Sequence, residues 1–300
     1  MSDLNAAMAT IAQKTEQFLE AHLTAQQLSA PLPAPERLIN AVRHGALNGG
    51  KRLRPVLVHL TANLFPQPAG DLIQAGAAIE CVHCYSLVHD DLPDMDDDDL
   101  RRGKPTVHKA FDPATAILAG DALLTHAFAL LADENCHPDP ALRNQLVIEL
   151  VEGAGVGGMA GGQMRDIEGE RKGYDPETIS LIHAMKTGAL IRASVRIGAL
   201  MGGANKDELA VLTQFGEAAG RIYQLADDIL DATQSSEQLG KTAGKDEAQG
   251  KSTLIASHGL AHARLALQDE LNDALPLLTP FGDRAAPLAQ LVTHFAERQS

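Results

Sequence analysis

Seven of the ten residues from Asp90 to Asp99 are aspartates, and this acidic segment is the densest chemical signal in the chain. It ends an apolar stretch and is followed at once by Arg101 and Arg102, unlike the acidic run of a solvated polar tail. Carboxylates this crowded raise one another's pKa unless cations neutralise them. Their oxygens suit Mg²⁺ or Ca²⁺, and the segment lacks the glycine and terminal glutamate of an EF-hand loop. The segment therefore predicts a divalent cation site.

A second acidic cluster, Asp227, Asp228 and Asp231, ends another apolar segment. Residues three and four positions apart share one side of a helix, so these carboxylates can project near one another. Mg²⁺ held by a few carboxylates keeps coordination positions open for phosphate oxygens of a substrate. If the two acidic regions face each other across a cavity, they would hold a diphosphate bridged by metal ions.

Basic residues accompany both acidic regions. Each basic segment alone is typical of a solvated loop, but their recurrence beside acidic clusters favours an anion site. At the start of a predicted helix, free N–H groups and the helix dipole also favour phosphate. The cations are Lys51, Arg52 and Arg54 at such a helix start, Arg101, Arg102 and Lys104 after the first acidic segment, and Lys241, Lys245 and Lys251 after the second cluster.

The elements that must position these residues are helices. Ala, Leu, Glu, Gln and Ile dominate long stretches between Gly and Pro clusters, and alternating β-branched runs are absent, which predicts an all-α fold. The predicted helices span about 3–28, 36–48, 52–64, 70–92, 113–132, 139–161, 176–202, 206–233 and 253–273, with another near the C-terminus. The segment Ala114–Leu131 is apolar on nearly every side, as expected of a helix surrounded by other helices. We predict a single domain over residues 1–300, built as one large helical bundle.

Composition excludes several classes of function. The chain has 25 basic and 39 acidic residues and a net charge of -14, which argues against binding to nucleic acid or to anionic membrane surfaces. Residues 1–20 lack the basic start and continuous apolar stretch of a secretory signal. No window approaches the roughly 20 uninterrupted apolar residues of a membrane span. We expect a cytoplasmic protein without a membrane span.

Cys81 and Cys84 form a C-x-x-C pair with His83 inside it. A structural zinc site needs a second ligand pair at suitable spacing, and the third cysteine, Cys136, stands alone. We interpret the pair as small apolar residues on the buried side of a helix.

Three motifs in this order and spacing resemble the trans-prenyl diphosphate synthases, most closely the bacterial farnesyl diphosphate synthases. They are the Gly-Gly-Lys-Arg-Leu-Arg-Pro segment at 49–55, the acidic segment with its double arginine at 90–103, and the Asp-Asp-Ile-Leu-Asp segment at 227–231. The likeness runs from about residue 36 to about 255 and includes shorter matches at 119–122, 161–163, 186–188 and 239–241. The resemblance implies an isoprenoid synthase fold, with a helical bundle around a central apolar cavity.

The resemblance also implies site residues. It assigns direct Mg²⁺ binding to Asp90, Asp96 and Asp227, with Asp91, Asp228 and Asp231 as ligands through water or as supports. It assigns the isopentenyl diphosphate site to Lys51, Arg54, His83 and Arg102, to which we add Lys251 as a substrate-binding residue. It assigns the allylic diphosphate site to Arg101, Lys186, Thr187, Gln224 and Lys241. Spacing agrees for His83, because it lies seven residues before Asp90 and so two turns away on the same helical face.

The implied reaction condenses dimethylallyl or geranyl diphosphate with isopentenyl diphosphate to give farnesyl diphosphate. It needs Mg²⁺, with Mn²⁺ as the expected substitute, and proceeds through an allylic carbocation. In this family an aromatic residue one turn before the first motif stops chain growth, and Tyr85 and Ser86 occupy that region. Tyr85 as an ordinary core aromatic is the alternative. The family habit is a homodimer.

Two departures and several rival functions accompany the resemblance. Asp94 stands where bacterial relatives have a small residue, and Ala226 stands where a longer polar residue is common. Geranyl or geranylgeranyl diphosphate synthase is the nearest alternative activity. A terpene cyclase would not need the site formed by Lys51, Arg54 and Arg102. A non-catalytic partner subunit would show a broken motif, and both aspartate motifs are intact.

Overall fold

The computed structural model describes residues 2–29, 32–172, 174–233, 255 and 259–297. These residues are overwhelmingly helical, which confirms the all-α prediction. The helices are α1 (Ser2–His22), α2 (Ala25–Leu28), α3 (Glu36–Ala46), α4 (Leu53–Ala62), α5 (Leu72–Asp90), α6 (Val107–Ala110), α7 (Pro113–Ala132), α8 (Pro140–Ala154), α9 (Met159–Lys172), α10 (Pro176–His183), α11 (Ala189–Gly202), α12 (Lys206–Thr233), α13 (Leu260–Ala274) and α14 (Ala286–Glu297).

Three elements that are not α-helices complete the described structure. A small antiparallel hairpin pairs β1 (Leu100–Arg101) with β2 (Lys104–Pro105). A π-helical turn, Ala184–Gly188, joins α10 to α11. A 3-10 segment, Leu275–Ala285, joins α13 to α14 and is kinked at Gly282.

The described residues divide into two compact units. The N-terminal unit contains residues 2–59 and 70–147, and the C-terminal unit contains residues 60–69 and the described residues from 148 onward. The single domain over residues 1–300 and the central apolar cavity stay predictions.

Helix α5 forms the core of the N-terminal unit and packs against α1, α3 and α7. It begins where the Asp71 carboxylate accepts hydrogen bonds from the N–H groups of Ile73 and Gln74, at 2.8 and 3.0 Å. This cap satisfies two of the donors that a helix start leaves open. Ile79 on α5 and Leu123 on α7 are fully buried, and each contributes about 1.5–3 kcal/mol of hydrophobic stabilisation. The well-packed helix α5 therefore holds Asp90, at its C-terminal end, in a fixed position.

Helix α7 is the one described helix that is long and apolar enough to cross a membrane, and 39% of its most apolar window is buried. Its N-terminus is capped by Asp112, whose carboxylate accepts the N–H of Thr115 at 2.8 Å, and Pro113 occupies its first turn. The face turned to the unit's core packs against α3, α5 and α6. This packing accounts for the apolar residues on one face, but Ile117 and Leu118 are about half exposed, so α7 is not surrounded by other described helices as predicted.

Helix α12 organises the C-terminal unit and packs against α11, α13 and α14. Its buried residues Leu212, Phe215, Ala219 and Ile222 recur at intervals of three or four, as one helical face requires. A Cβ at Gly220 would lie 2.7 Å from the Gly188 Cα, so a glycine is needed where α12 crosses the π turn. This close crossing fixes the position of α12. The second acidic cluster lies two turns further along the same helix.

Several predicted helix boundaries are wrong for local reasons. The helix predicted at 3–28 breaks after His22 because Thr24 caps a separate short helix. The helix predicted at 139–161 ends at Ala154, where the Gly158 N–H donates to the Gly155 carbonyl in a tight turn. Helix α9 was missed because its glycines lower helix propensity. A Cβ at Gly162 would overlap the Lys186 backbone, so this glycine permits the close packing of α9 on the π turn.

Candidate active site

The acidic segment closes into a compact loop at the end of α5. The N–H of Asp96 donates to the carbonyl of Asp90 at 2.8 Å, so two aspartates six positions apart become neighbours. The N–H groups of Met95 and Asp97 both donate to the Leu92 carbonyl, at 2.9 and 3.1 Å. Asp97 takes a left-handed φ of 47° to complete the turn. The structure therefore brings together the two residues of this segment that the resemblance assigns to direct metal binding.

Asp91 has a different environment from Asp90. Its side chain is buried, and its Oδ1 accepts hydrogen bonds from Nε of Arg101 at 2.9 Å and from the same guanidinium's Nη2. Burial raises the pKa of Asp91, while the Arg101 guanidinium acts in the opposite direction. This carboxylate fixes Arg101, which fits the supporting role among the two roles predicted for it.

The hairpin that follows the loop presents the double arginine. Arg101 pairs with Lys104 across the two strands, and the turn runs through Arg102 and Gly103, with left-handed φ values of 54° and 76°. The hydroxyl of Thr106 donates to the Asp98 carbonyl at 2.8 Å and closes the hairpin onto the acidic loop. The Arg102 Nη1 donates to Oδ1 of Asn48 at 3.0 Å and to the Gly49 carbonyl. Arg101 therefore contacts the acidic loop, whereas Arg102 contacts the segment at Asn48 and Gly49.

Arg54, His83 and Arg102, together with exposed Lys51, form the basic cluster of the N-terminal unit. Burial lowers the pKa of His83 well below its ordinary value, and the positive charges of Arg54 and Arg102 lower it further. The Nε of Arg54 is buried and has no hydrogen-bond partner among the described residues. Three of the four residues predicted for one diphosphate site are therefore close enough to influence one another, with the imidazole neutral.

The low pKa of His83 predicts a pH-dependent stability. An unfolded histidine takes up a proton near pH 6.5, whereas folded His83 resists it, so the unfolded state binds more protons as pH falls. Stability is then complete above about pH 6.5 and declines as pH falls below it. We expect urea unfolding at pH 5.5 to give a lower free energy of unfolding than at pH 7.5, and His83→Gln to weaken this dependence. His59 and His126, whose pKa values burial also lowers, supply the remainder. An unchanged pH dependence in His83→Gln would contradict this assignment.

Tyr85 and Ser86 lie on α5 one turn before the acidic loop. The Tyr85 ring makes an edge-to-face contact with His89, with centroids 5.7 Å apart. Burial raises the pKa of Tyr85, and the nearby negative charge of Asp90 adds to the effect. The Ser86 hydroxyl donates to the His83 carbonyl at 2.9 Å and so points back onto its own helix. Tyr85 is therefore placed one turn before the acidic loop, on the helix face that carries His89.

Gly120, in the short Ala-Gly-Asp-Ala match at 119–122, packs against His89 at the end of α5. The Nε2–H of His89, next to Asp90, donates to the Ile117 carbonyl at 3.0 Å. A Cβ at Gly120 would overlap the His89 ring. The glycine therefore leaves room for the imidazole that anchors the end of α5 to α7.

Gly120→Ala is expected to lower the free energy of unfolding by about 1–3 kcal/mol, because the added methyl must displace His89 in a packed interior. Urea denaturation monitored by circular dichroism would measure this change. Gly157→Ala is the matched control, since a Cβ there meets nothing within 4 Å, and surface changes of this kind shift stability by less than about 0.5 kcal/mol. Equal stabilities for the two variants would show that the His89 contact is not tight.

The second acidic cluster ends α12 in the C-terminal unit. Asp228 is buried, and its Oδ1 accepts a hydrogen bond from Nε2 of Gln224 at 2.9 Å. Its Oδ2 lies 4.0 Å from Nδ1 of His183. Asp227 is half-buried and Asp231 is exposed, one turn apart on the same helix. Gln224, which the resemblance assigns to the allylic site, thus orients a carboxylate of this cluster.

Lys186 and Thr187 lie in the π turn, an element that occurs frequently at functional sites. The Nζ of Lys186 forms an ion pair with Oδ2 of Asp166 on α9 at 2.6 Å. Asp166 follows the Gly-Gly-Gln match at 161–163 by three residues, and neither its spacing nor the resemblance predicts it as a site residue. Lys241 and Lys251, the remaining predicted cations, lie outside the described residues.

Two other clusters of potential ligands have simpler explanations. Cys81 and Cys84 are buried free thiols, and burial raises the pKa of Cys84 to about 12, so the interpretation as small apolar residues is confirmed. Among the described residues, Asp97, Asp99 and His108 bring one potential ligand atom each within 4.8 Å of one another. Asp99 already forms an ion pair with Lys109 at 2.7 Å. This group lies at the outer edge of the acidic loop.

A family model for polyprenyl synthetases matches residues 35–278. The chain belongs to the polyprenyl synthetase family. A farnesyl diphosphate synthase from Escherichia coli (strain K12) is 43% identical over 276 residues, which are 91% of this chain and 92% of that protein. The family prediction made from the motifs is confirmed.

Solved structures of polyprenyl synthetases agree with the fold of this chain. An FPP/GFPP synthase from Zymomonas mobilis is 38% identical, with a TM-score of 0.86 over 98% of this chain and 99% of that one. A geranyltransferase from Helicobacter pylori, complexed with magnesium and isoprenyl diphosphate, is 31% identical, with a TM-score of 0.79 over 96% of this chain and 94% of that one. The roles assigned to the individual site residues stay predictions.

Proposed function

We propose that this polyprenyl synthetase condenses dimethylallyl and geranyl diphosphate with isopentenyl diphosphate, head to tail, to give farnesyl diphosphate. The observation that carries the proposal is the arrangement along α5. The positive charges of Arg54 and Arg102 act on His83, and two turns further on the Asp96 N–H donates to the Asp90 carbonyl. The last turns of α5 thus lie near a basic cluster suited to a diphosphate anion and lead to two aspartates, neighbours through their backbones, whose carboxylates suit the metal ions of a second diphosphate. The similar E. coli protein is a farnesyl diphosphate synthase, which supports the same product.

The residues present fit Mg²⁺. Asp90, Asp96 and Asp227 offer carboxylate oxygens, the hard ligands that Mg²⁺ takes while keeping positions for substrate phosphates. Asp91 and Asp228 are engaged by Arg101 and Gln224 and would support this set. When bound, Mg²⁺ would draw negative charge onto the departing diphosphate, and Mn²⁺ is the expected substitute. The H. pylori geranyltransferase complexed with magnesium supports this assignment.

The protein's own residues divide the rest of the work. Arg54 and Arg102, with Lys51, hold isopentenyl diphosphate, while neutral His83 can donate a hydrogen bond without adding charge. Arg101, fixed by Asp91, and Lys186, held by Asp166, stabilise the diphosphate that leaves the allylic substrate. The allylic carbon–oxygen bond breaks and its electron pair leaves with that diphosphate. The alkene of isopentenyl diphosphate then forms the new carbon–carbon bond, and the released diphosphate accepts the proton that restores a double bond.

Product length follows from Tyr85 in this proposal. Tyr85 lies on α5 about one turn before Asp90, with its ring against His89, so a chain growing along α5 from a diphosphate held at Asp90 would meet it after a short distance. We therefore favour farnesyl diphosphate over geranyl or geranylgeranyl diphosphate. The similar Z. mobilis protein is an FPP/GFPP synthase. Product length is therefore measured separately from the reaction itself.

We also propose a cytoplasmic homodimer. Ile117 and Leu118 on α7 are about half exposed, as expected of apolar residues awaiting a second copy. The buried free thiols of Cys81 and Cys84 suit a reducing compartment. If the chain were a terpene cyclase, the basic cluster would have no role. If it were a non-catalytic subunit, Asp90 and Asp96 would have no role.

Incubation with radiolabelled isopentenyl diphosphate tests the proposal. Purified protein receives Mg²⁺ and either dimethylallyl or geranyl diphosphate, and the dephosphorylated products are sized by chromatography. We expect a C15 alcohol from both primers and none in the presence of a chelator. A C10 or C20 alcohol would retain the reaction and overturn the product, whereas no incorporation would overturn the proposed function.

A further inference from the structure

The basic motif at residues 49–55 contains one arginine that faces inward. Lys51 is exposed, but the Arg52 side chain is only 1% exposed. Its Nη1 donates to Oε1 of Glu80 at 2.8 Å, and Glu80 is equally buried. The sequence predicts that Arg52 belongs to the anion-binding cations, and this prediction is wrong because the guanidinium is buried against Glu80.

A single guanidinium connects three helices through Arg52. Besides Glu80 on α5, its Nε donates to Oε2 of Glu16 on α1 at 3.0 Å, and its Nη2 donates to the Ala46 carbonyl at the end of α3 at 2.7 Å. Nη2 also forms an ion pair with Glu16. Arginine offers five donors in a rigid planar fork, and lysine offers three at one point. The geometry therefore requires arginine rather than positive charge alone.

The backbone around Arg52 is held in a shape that it would not adopt unaided. Gly49, Gly50 and Arg52 have left-handed φ values of 81°, 117° and 48°. A non-glycine residue in this region is strained, and it persists only where its surroundings over-determine it. The contacts of the buried guanidinium supply that constraint at Arg52.

The same loop shape places the neighbouring cations. The Gly49 carbonyl accepts a hydrogen bond from Arg102, and a Cβ at Gly50 would overlap the Arg102 guanidinium. Arg54 lies in the first turn of α4, two residues after Arg52, with a buried Nε that has no hydrogen-bond partner within the described residues. A change in the loop at Arg52 would therefore move both arginines relative to His83.

We infer that Arg52 is a positioning residue, whose buried bonds to Glu80, Glu16 and Ala46 hold the loop so that Lys51, Arg54 and Arg102 converge on the diphosphate of isopentenyl diphosphate. The inference rests on the proposed function, because that function assigns the substrate to the basic cluster. Arg52 touches no substrate, and its effect is specific to one of the two substrates. Loss of Arg52 then weakens isopentenyl diphosphate binding and leaves the allylic diphosphate unaffected.

Steady-state kinetics of Arg52→Met and of the double variant Arg52→Met/Glu80→Met test the inference. The single variant leaves Glu80 buried without its partner and is expected to lower Tm, whereas the double variant removes both charges and is expected to recover much of it. In both, we expect KM for isopentenyl diphosphate to rise about tenfold or more, since small displacements of binding groups have large effects. KM for geranyl diphosphate is expected to stay within about twofold. Arg37→Met, which removes an exposed arginine of α3 from its ion pair with Asp112, is the matched control.

The outcomes separate positioning from simple structural support. If the double variant recovers both Tm and the wild-type KM for isopentenyl diphosphate, or if KM rises equally for both substrates, the inference is overturned. If both Arg52 variants are insoluble, Glu16→Gln decides, because the Glu16 side chain is 28% exposed and its loss of charge leaves buried Arg52 paired with Glu80. A rise of about threefold in KM for isopentenyl diphosphate alone supports positioning, and no change overturns it. A wild-type protein that incorporates no isopentenyl diphosphate would instead overturn the proposed function.

Discussion

Asp90→Ala is expected to lower kcat by about 10³-fold, because it removes a carboxylate that would hold the metal ions stabilising the departing diphosphate. Asp90 lies at the end of α5, and the loop closes Asp96 onto its backbone. Single-turnover assays with geranyl diphosphate and labelled isopentenyl diphosphate would measure the rate of the chemical step. Raising the Mg²⁺ concentration should recover only part of the loss.

Asp94→Ala is the matched control for Asp90→Ala. Asp94 belongs to the same acidic loop but is exposed, and it is the residue at which the segment departs from bacterial relatives. We expect kcat to change by less than about threefold, as for a surface substitution. Equal losses in the two variants would mean that the total charge of the loop, rather than the placement of Asp90, determines activity.

Tyr85→Ala is expected to change the main product from a C15 to a C20 diphosphate. The ring lies one turn before Asp90 and packs edge-to-face on His89, and one helical turn of about 5.4 Å is close to the length of one isoprene unit. Removing the ring would therefore give the growing chain room for one further addition. Chromatography of the dephosphorylated products, with isopentenyl diphosphate in excess, would measure the distribution.

Tyr85→Phe keeps the ring and removes only the hydroxyl, so the C15 product is expected to persist in this variant. A C15 product from Tyr85→Ala would show that another residue ends chain growth and that Tyr85 is an ordinary core aromatic. That result would leave the reaction itself unaffected, because Tyr85 has no role in binding the metal or either diphosphate.

The features of the site that depend on short sequence spacing could be predicted, and those that depend on packing could not. The periodicity of α12 predicts that Asp227 and Asp231 lie one turn apart, and the seven-residue interval predicts that His83 and Asp90 share a face of α5. Both predictions need only the geometry of a helix. The pairing of Asp90 with Asp96 depends on a loop whose left-handed residue, Asp97, carries no glycine signal.

Arg52 and Lys186 show most clearly what the sequence does not reveal. Arg52 lies between Lys51 and Arg54 and has the same chemistry, but only the fold reveals that it faces Glu80 inside the unit. The partner of Lys186 is Asp166 on α9. The glycines of α9 lower its helix propensity, so the sequence does not predict this helix. In each case an ion pair between residues distant in the chain determines whether a cation faces substrate or supports another residue.

A crystal structure with Mg²⁺ and a non-reactive allylic thiolodiphosphate would test the central claim most directly, which is that both aspartate motifs act on one diphosphate through metal ions. We predict metal ions bound by Asp90, Asp96 and Asp227 and bridged by the diphosphate oxygens, with Arg101 and Lys186 contacting the same group. A diphosphate bound by basic residues alone, with the aspartates of either motif free of metal, would contradict the account.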